Sequence, residues 1–251
     1  MPKLSVAIIT FNEEAQIGRC IDSVQGLADE VMVLDSFSTD QTEAICRQKG
    51  VVFHQHVFDG YIEQKNRALA LASFDFVLSL DADEALSEAL KNSIGSIKEN
   101  PPAKGFTMNR LNNYCGKWIR HGGWYPDKKL RLVDRRQARW EGVNPHDKLE
   151  LTGGTILHLN GDLLHYSYHS IKGHIEQANN FSEIAAITMF NNGVKAPVWK
   201  LIINPALMFL KCYITKAGFL DGFFGYTISR ISSHATFIKY AKLKQLWMSK
   251  E

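Results

Sequence analysis

The chain has few cysteines, and they are scattered. Cys20, Cys46, Cys115 and Cys212 form no Cys-x-x-Cys pair, which argues against a zinc ribbon or a disulfide framework and points to a reducing compartment. There is no Gly-x-Gly-x-x-Gly and no Gly-x-x-x-x-Gly-Lys-Ser/Thr, so a dinucleotide fingerprint and a P-loop are both disfavoured. No internal repeat or low-complexity tract is visible. The first apolar stretch meets Asn12-Glu13-Glu14 after a single lysine. That is too short and too soon polar for a signal peptide, and it reads as a strand. No uncharged run reaches the length of a transmembrane span.

What is present suits a folded protein. At 251 residues, 45% hydrophobic and 22% charged, the chain can bury a large core as one domain, or as one domain with an appendage. The net charge of +3 hides an asymmetry. Residues 195–251 carry nine bases against Asp221 and Glu251, whereas residues 1–194 carry 20 bases and 24 acids. A basic, aromatic-rich tail behind a mildly acidic body suits an anionic partner surface; the plain alternative is a solvated helix face. No nucleic-acid partner is expected.

Hydrophobic periodicity organises the first 100 residues. Strands are expected at Leu4–Thr10, Val31–Asp35, Val51–Phe53 and Phe76–Leu80. Helices are expected at Glu13–Val24, at about Gln41–Lys49 with a Ser38 or Thr39 cap and a Gly50 stop, and at Tyr61–Ala72. This alternation predicts a doubly wound parallel sheet with its strand ends on one edge. Beyond Pro101-Pro102, shorter strands are expected at Gly105–Leu111, Leu130–Val133 and Leu163–Tyr168. Helices follow at about 171–192, 198–217 and 221–246. The last two are dense in apolar and aromatic residues. Lys211 and Lys216 interrupt them, so lying in a membrane interface fits better than spanning; ordinary packing or a dimer interface is the alternative.

Leu80-Asp81-Ala82-Asp83-Glu84 ends the fourth strand. Two carboxylates one residue apart, where open α/β sheets bind ligands, suit a hard divalent ion that also takes substrate phosphate oxygens. The alternative is an acidic helix start capped by Ser87. Thr10-Phe11-Asn12-Glu13-Glu14 and Asp35-Ser36-Phe37-Ser38-Thr39-Asp40 end the first and second strands, and such an edge suits a nucleotide.

Ile-Ile-Thr-Phe-Asn-Glu-Glu, Val-Leu-Asp-Ser-Phe-Ser-Thr-Asp, Gln-Lys-Asn-Arg-Ala-Leu and Leu-Asp-Ala-Asp-Glu, in this order, resemble a family 2 glycosyltransferase of the GT-A fold. The resemblance implies an α/β fold: a Rossmann-like, mostly parallel sheet flanked by helices, with a C-terminal helical extension. Residues 1–100 would be the nucleotide-binding half and 101–194 the acceptor half, followed by a basic helical tail from 195. It implies that Thr10, Asn12, Glu14 and Asp35 contact uridine and that Lys65 and Asn66 approach the nucleotide. Asp81 would contact nucleotide or metal, and Asp83 would bind Mg²⁺ or Mn²⁺. Phe37 stands where the family usually has a small residue. An inverting transfer needs a carboxylate base, for which Asp127, Asp134, Glu141 and Asp147 are candidates. The stretch Trp140 to Asp147 resembles the family's aromatic-x-Gly…His-acid motif, which makes Asp147 the first choice and Glu141 the second. Arg131 resembles the arginine of the family's Arg-Leu-Phe strand and is expected to read phosphate bidentately, on the UDP or on a phosphorylated acceptor. His165 is open between a metal ligand, a phosphate contact and a structural histidine.

The whole chain is similar to bacterial lipopolysaccharide inner-core β-1,4-glucosyltransferases. That similarity implies a UDP-sugar donor, with glucose expected, a core heptose acceptor, and a peripheral location on the cytoplasmic face of the inner membrane. A transferase for another glycolipid or exopolysaccharide acceptor, and a non-catalytic nucleotide-sugar or membrane-binding protein, are the alternatives.

Overall fold

The computed structural model describes residues 3–143 and 146–250. Two compact units divide the chain. The first is built from residues up to Arg110 and from Asp127 to His165, the second from Leu111 to Pro126 and from Tyr166 onward.

In the first unit, β1 (Leu4–Thr10), β2 (Glu30–Asp35), β3 (Val52–Gln55) and β4 (Phe76–Asp81) alternate with α1 (Ile17–Val24), α2 (Thr42–Gln48) and α3 (Tyr61–Leu71). β1 and β4 are buried almost throughout, as strands covered on both faces must be. The four pair in parallel in the order β3-β2-β1-β4. The register sets Thr10 beside Asp35 and Ile9 beside Asp81, so three polar strand ends share one edge. The pleat of β1 divides its side chains between two cores. Val6 and Ile8 join α1 residues on one side, and Ala7 joins Ala68 and Leu69 of α3 on the other.

The rest of the sheet departs from the parallel pattern. β8 (Asp127–Asp134) lies antiparallel between β4 and β6 (Gly105–Tyr114), followed by β11 (Ile156–Tyr168) and then β5 (Glu84–Leu86) at the edge. β5 separates the acids of residues 81–83 from α4 (Glu88–Lys98), which starts at the Ser87 cap. The acids therefore do not sit in the helix's first turn. β11 can pass the start of α4 only because residue 161 is glycine. Its φ is +104°, and a Cβ there would lie 2.3 Å from the Leu90 nitrogen. A hairpin of β9 (Ala138–Val143) and β10 (His146–Leu151) packs Trp140 and Leu149 into the α3-side core.

The second unit holds the end of β6 paired with β7 (Lys117–Ile119), then α5 (Ile171–Asn191), α6 (Val198–Leu210) and α7 (Gly222–Met248). α6 runs into a π-helical turn, Lys211–Thr215, and a 3-10 turn, Gly218–Asp221, precedes α7. Val198–Thr215 is long and apolar enough to cross a membrane by length and composition alone, with Lys200 and Lys211 inside it. Tyr114, Ile119 and Ile228 form one small core with Trp124, Tyr168 and Phe224 around them. Asp221 is buried and accepts hydrogen bonds from the Arg120 and His121 amides at 3.1 and 2.8 Å.

Candidate active site

Short strand–helix loops build the sheet edge in the first unit. Asp35, fully buried, accepts from the Ser38 amide at 2.9 Å, the Ser38 hydroxyl and the Gln55 amide group. Asn12 Oδ1 accepts from the Thr39 amide at 2.8 Å, and Glu14 Oε2 accepts from the Gln41 amide at 2.9 Å. Asn12, Glu14 and Asp35 thus lock the β1–α1 and β2–α2 loops into one rigid rim. Ser38 and Thr39 are used in that lock and do not cap α2; Asp40 Oδ1 accepts from the Thr42 amide instead, which corrects the expected cap. Two residues of the rim are left-handed, Asn12 at φ +53° and Phe37 at φ +62°. Asparagine tolerates this readily, whereas a bulky phenylalanine is strained there. Thr10 ends β1 with its hydroxyl buried and without a partner, a group poised to bond something else.

The strand-end acids are set among cations. Lys65, on α3, is buried and places Nζ 3.1 Å from Asp81 Oδ1 and 2.8 Å from Asp147 Oδ2. Arg131, on β8, is 3% exposed. Its Nη2 donates to Asp81 at 3.0 Å and to Glu84 at 2.8 Å, while Nε and Nη1 have no partner. Trp140 lies between the two cations, 4.4 Å from Lys65 Nζ and 5.3 Å from the Arg131 guanidinium carbon. Both amide atoms of Asn66 are taken by the Trp140 main chain at 2.9 Å. Asn66 therefore pins to α3 the hairpin that carries Asp147.

Asp83 faces the other way and meets His165 Nε2 at 3.1 Å. Burial alone would raise Asp81, but the Lys65 and Arg131 charges outweigh it and hold its carboxyl well below the usual range. Burial pushes Glu84 up, and the Asp81 and Asp83 charges add to this against Arg131 and His165. Burial, then Asp83 and Asp40, lift Glu13 to about 7. The cluster is therefore acid-rich beyond what its two cations neutralise. That excess fits a divalent cation at the edge. Among the described residues no three His, Cys, Asp or Glu side chains form a complete metal-binding group. Asp83 and His165 offer two ligands, the small protein share expected where substrate oxygens and water complete the shell.

Of the four candidate bases, only Asp147 reaches this cluster. Asp127 pairs with Arg110 at 2.8 Å. Asp134 is buried between Lys104 and Arg136. Glu141 is exposed on β9, in register opposite Lys148. Asn144 and Pro145, inside the motif that singled out Asp147, lie outside the described residues. Sequence reasoning gave no role to Glu13, Glu84 or Trp140. All three stand inside the motifs already quoted, and adjacency to a named acid or base was the available signal.

Comparison with known proteins follows this geometry. The sequence model of Glycosyl transferase family 2 matches residues 5–148. An uncharacterized glycosyltransferase of Rickettsia typhi is 33% identical over 98% of this chain and 88% of its own length. The lipopolysaccharide core biosynthesis glycosyltransferase LpsC of Rhizobium meliloti is 28% identical over 98% of this chain and 94% of its own. Glucosyl-3-phosphoglycerate synthase from Mycobacterium tuberculosis, solved with Mn²⁺, UDP and glucosyl-3-phosphoglycerate, shares 30% identity at a TM-score of 0.36. That match covers 45% of this chain and 44% of that one. The loops, the Asp81–Asp83 strand end and Asp147 all fall within the matched segment, and the chain belongs to glycosyl transferase family 2 as a glycosyltransferase.

Proposed function

We propose an inverting hexosyl transfer from a UDP-sugar, with glucose as the sugar, to a heptose of the lipopolysaccharide inner core. The observation that carries this reading is the single Lys65 ammonium shared by Asp81 and Asp147. It sets a strand-end acid suited to the donor and an acid suited to the acceptor on either side of one residue. The relation to LpsC over nearly the whole chain supports the acceptor class. An acceptor of this class fits a reaction at the cytoplasmic face of the inner membrane.

In this reading Thr10 and the rim locked by Asn12, Glu14 and Asp35 take the uridine. Asp83 and His165 would hold Mg²⁺ or Mn²⁺, and a divalent cation bound there would supply neutralisation of the charge on the departing diphosphate. Asp147 takes the proton of the acceptor hydroxyl as its oxygen bonds the anomeric carbon. The carbon–oxygen bond to the diphosphate breaks, and UDP leaves with the electron pair from the opposite face. Lys65 and Arg131 keep Asp81 ionised and fixed, so the edge needs no rearrangement as charge moves.

The test is a panel of UDP-sugars read by UDP release, with and without extracted, truncated lipopolysaccharide. Release stimulated by the lipopolysaccharide with UDP-glucose alone is expected. Stimulation by an unrelated lipid-linked acceptor, or by another hexose donor only, would replace the acceptor or donor named here.

A further inference from the structure

α6 presents its apolar side outward. Trp199, Ile202, Ile203, Leu207, Leu210 and Ile214 recur at helical spacing, and each is 45–69% exposed. A helix resting on its own protein shows the opposite pattern, with polar residues outward. The inner side of α6 is already used: the Ser233 hydroxyl of α7 donates to the Pro205 carbonyl at 2.8 Å. Across the following turn Phe219, Leu220 and Phe223 are exposed as well, at 48%, 60% and 68%. Exposed apolar side chains gathered in this way mark an interaction surface.

Charge decides what covers it. Lys200, Lys211 and Lys216 fringe the apolar residues, and the Lys200 ammonium lies 5.6 Å from the Trp199 ring. Among the described residues from 195 on, the one acid is Asp221. It is 4% exposed and spoken for by His121. A second copy laid on this face would bring two acid-free basic surfaces together, so self-association is disfavoured. An anionic surface complements it. Spanning is disfavoured too: α7 beside Pro205 carries Ser232-Ser233-His234, which α6 would draw into hydrocarbon.

We propose that the outward face of α6 and the turn after it form a membrane-seating surface. It lies in the plane of a bilayer leaflet, with Trp199, Ile202, Leu210 and Phe223 in the acyl boundary and Lys200, Lys211 and Lys216 among anionic phospholipid head groups. The proposal stands apart from the transfer chemistry, since none of these residues lies in the candidate active site.

Flotation of the full chain with phosphatidylcholine vesicles, with and without phosphatidylglycerol, tests it. Strong recovery with anionic vesicles is expected, weaker at high salt and weaker still with neutral ones. Trp199→Ser with Ile202→Ser and Leu210→Ser should abolish flotation while the melting curve stays near wild type. Lys200→Glu, Lys211→Glu and Lys216→Glu alter no packed core and should weaken anionic binding by at least about a hundredfold. No flotation, or undiminished flotation of both variants, overturns the proposal. So does resistance to carbonate extraction, which would mean a span. A dimer that the serine variant makes monomeric would give the face to a second copy and overturn it as well.

Discussion

Lys65 Nζ lies 2.8 Å from Asp147 Oδ2, joining residues 82 positions apart in sequence. The ammonium comes from the middle of α3 and the carboxylate from the start of strand β10, and Asn66 holds α3 to the hairpin through the Trp140 main chain. The same ammonium neutralises Asp81. Lys65→Met should therefore leave the partly buried Asp147 carboxylate without its cation and Asp81 with Arg131 alone, with a loss of about 1–3 kcal/mol in stability, the usual cost of a desolvated polar group left unpaired. In an Asp147→Asn background the same substitution should cost less. Additive losses in chemical denaturation would show that the two side chains are not coupled.

Asp147→Asn should lower turnover by at least about 10²-fold, the ordinary worth of a positioned base, with UDP affinity retained. Glu141→Gln should be close to wild type, because its side chain points from an exposed strand position away from the cation pair. A dead Glu141→Gln and an active Asp147→Asn would transfer the role to Glu141.

Excess EDTA should abolish turnover, and added Mn²⁺ should restore it. Asp83→Ala and His165→Ala should each weaken Mn²⁺ binding read by electron paramagnetic resonance, since these two side chains face each other at 3.1 Å. Asp81→Asn should weaken it less, because Asp81 is already satisfied by Lys65 and Arg131. Full turnover in EDTA would remove the cation from the mechanism.

The parallel half of the sheet was legible because its strands are unbroken apolar runs separated by helices of clear period. α1 buries the four residues its spacing predicts, Ile17, Cys20, Ile21 and Val24. The antiparallel half was less so. β5 is three residues long and begins with Glu84, a buried charge that no hydrophobic pattern admits. β9 and β10 carry Arg139, Glu141, Lys148 and Glu150 on their outer face, which masks the alternation of Trp140 and Leu149. At the site, the acids were legible as motif residues, but their partners were not. Asp83 with His165 and Lys65 with Asp147 are long-range pairs that only the folded chain makes.

His174 of α5 is 7% exposed, with Nδ1 3.0 Å from the Tyr114 hydroxyl. Burial lowers its pKa from 6.5 to about 4. The unfolded chain then takes up a proton before the folded one does. Its contribution to stability is complete above about pH 6.5 and is lost as pH falls toward 4, by about 3 kcal/mol at most. The midpoint of urea unfolding should drop over that window. His174→Gln should flatten the drop while keeping a hydrogen-bonding side chain next to Tyr114. An unchanged slope would assign the acid sensitivity to other groups.

Phe37 combines backbone strain with exposure. Its φ of +62° is a glycine conformation, and its ring is 50% exposed at the strand-end rim. Holding a bulky L-residue there costs roughly 1–2 kcal/mol, against which glycine loses part through its freer unfolded chain. Phe37→Gly should therefore raise stability by about 0.5–1 kcal/mol. Strain of this kind persists where a side chain is used. Phe11, also exposed at 56%, stands on the neighbouring loop of the same rim, so the two rings flank the edge at which the nucleotide is proposed to sit. A rise in KM for the UDP-sugar with kcat nearly unchanged should accompany the gain in stability, because the ring is far from the Asp83 and Asp147 chemistry in role and serves binding alone. Phe37→Ala separates the two effects: it keeps the strain, removes the ring, and should raise KM without stabilising the fold. A stabilised Phe37→Gly enzyme with unchanged KM would make the phenylalanine a tolerated cost with no part in donor binding.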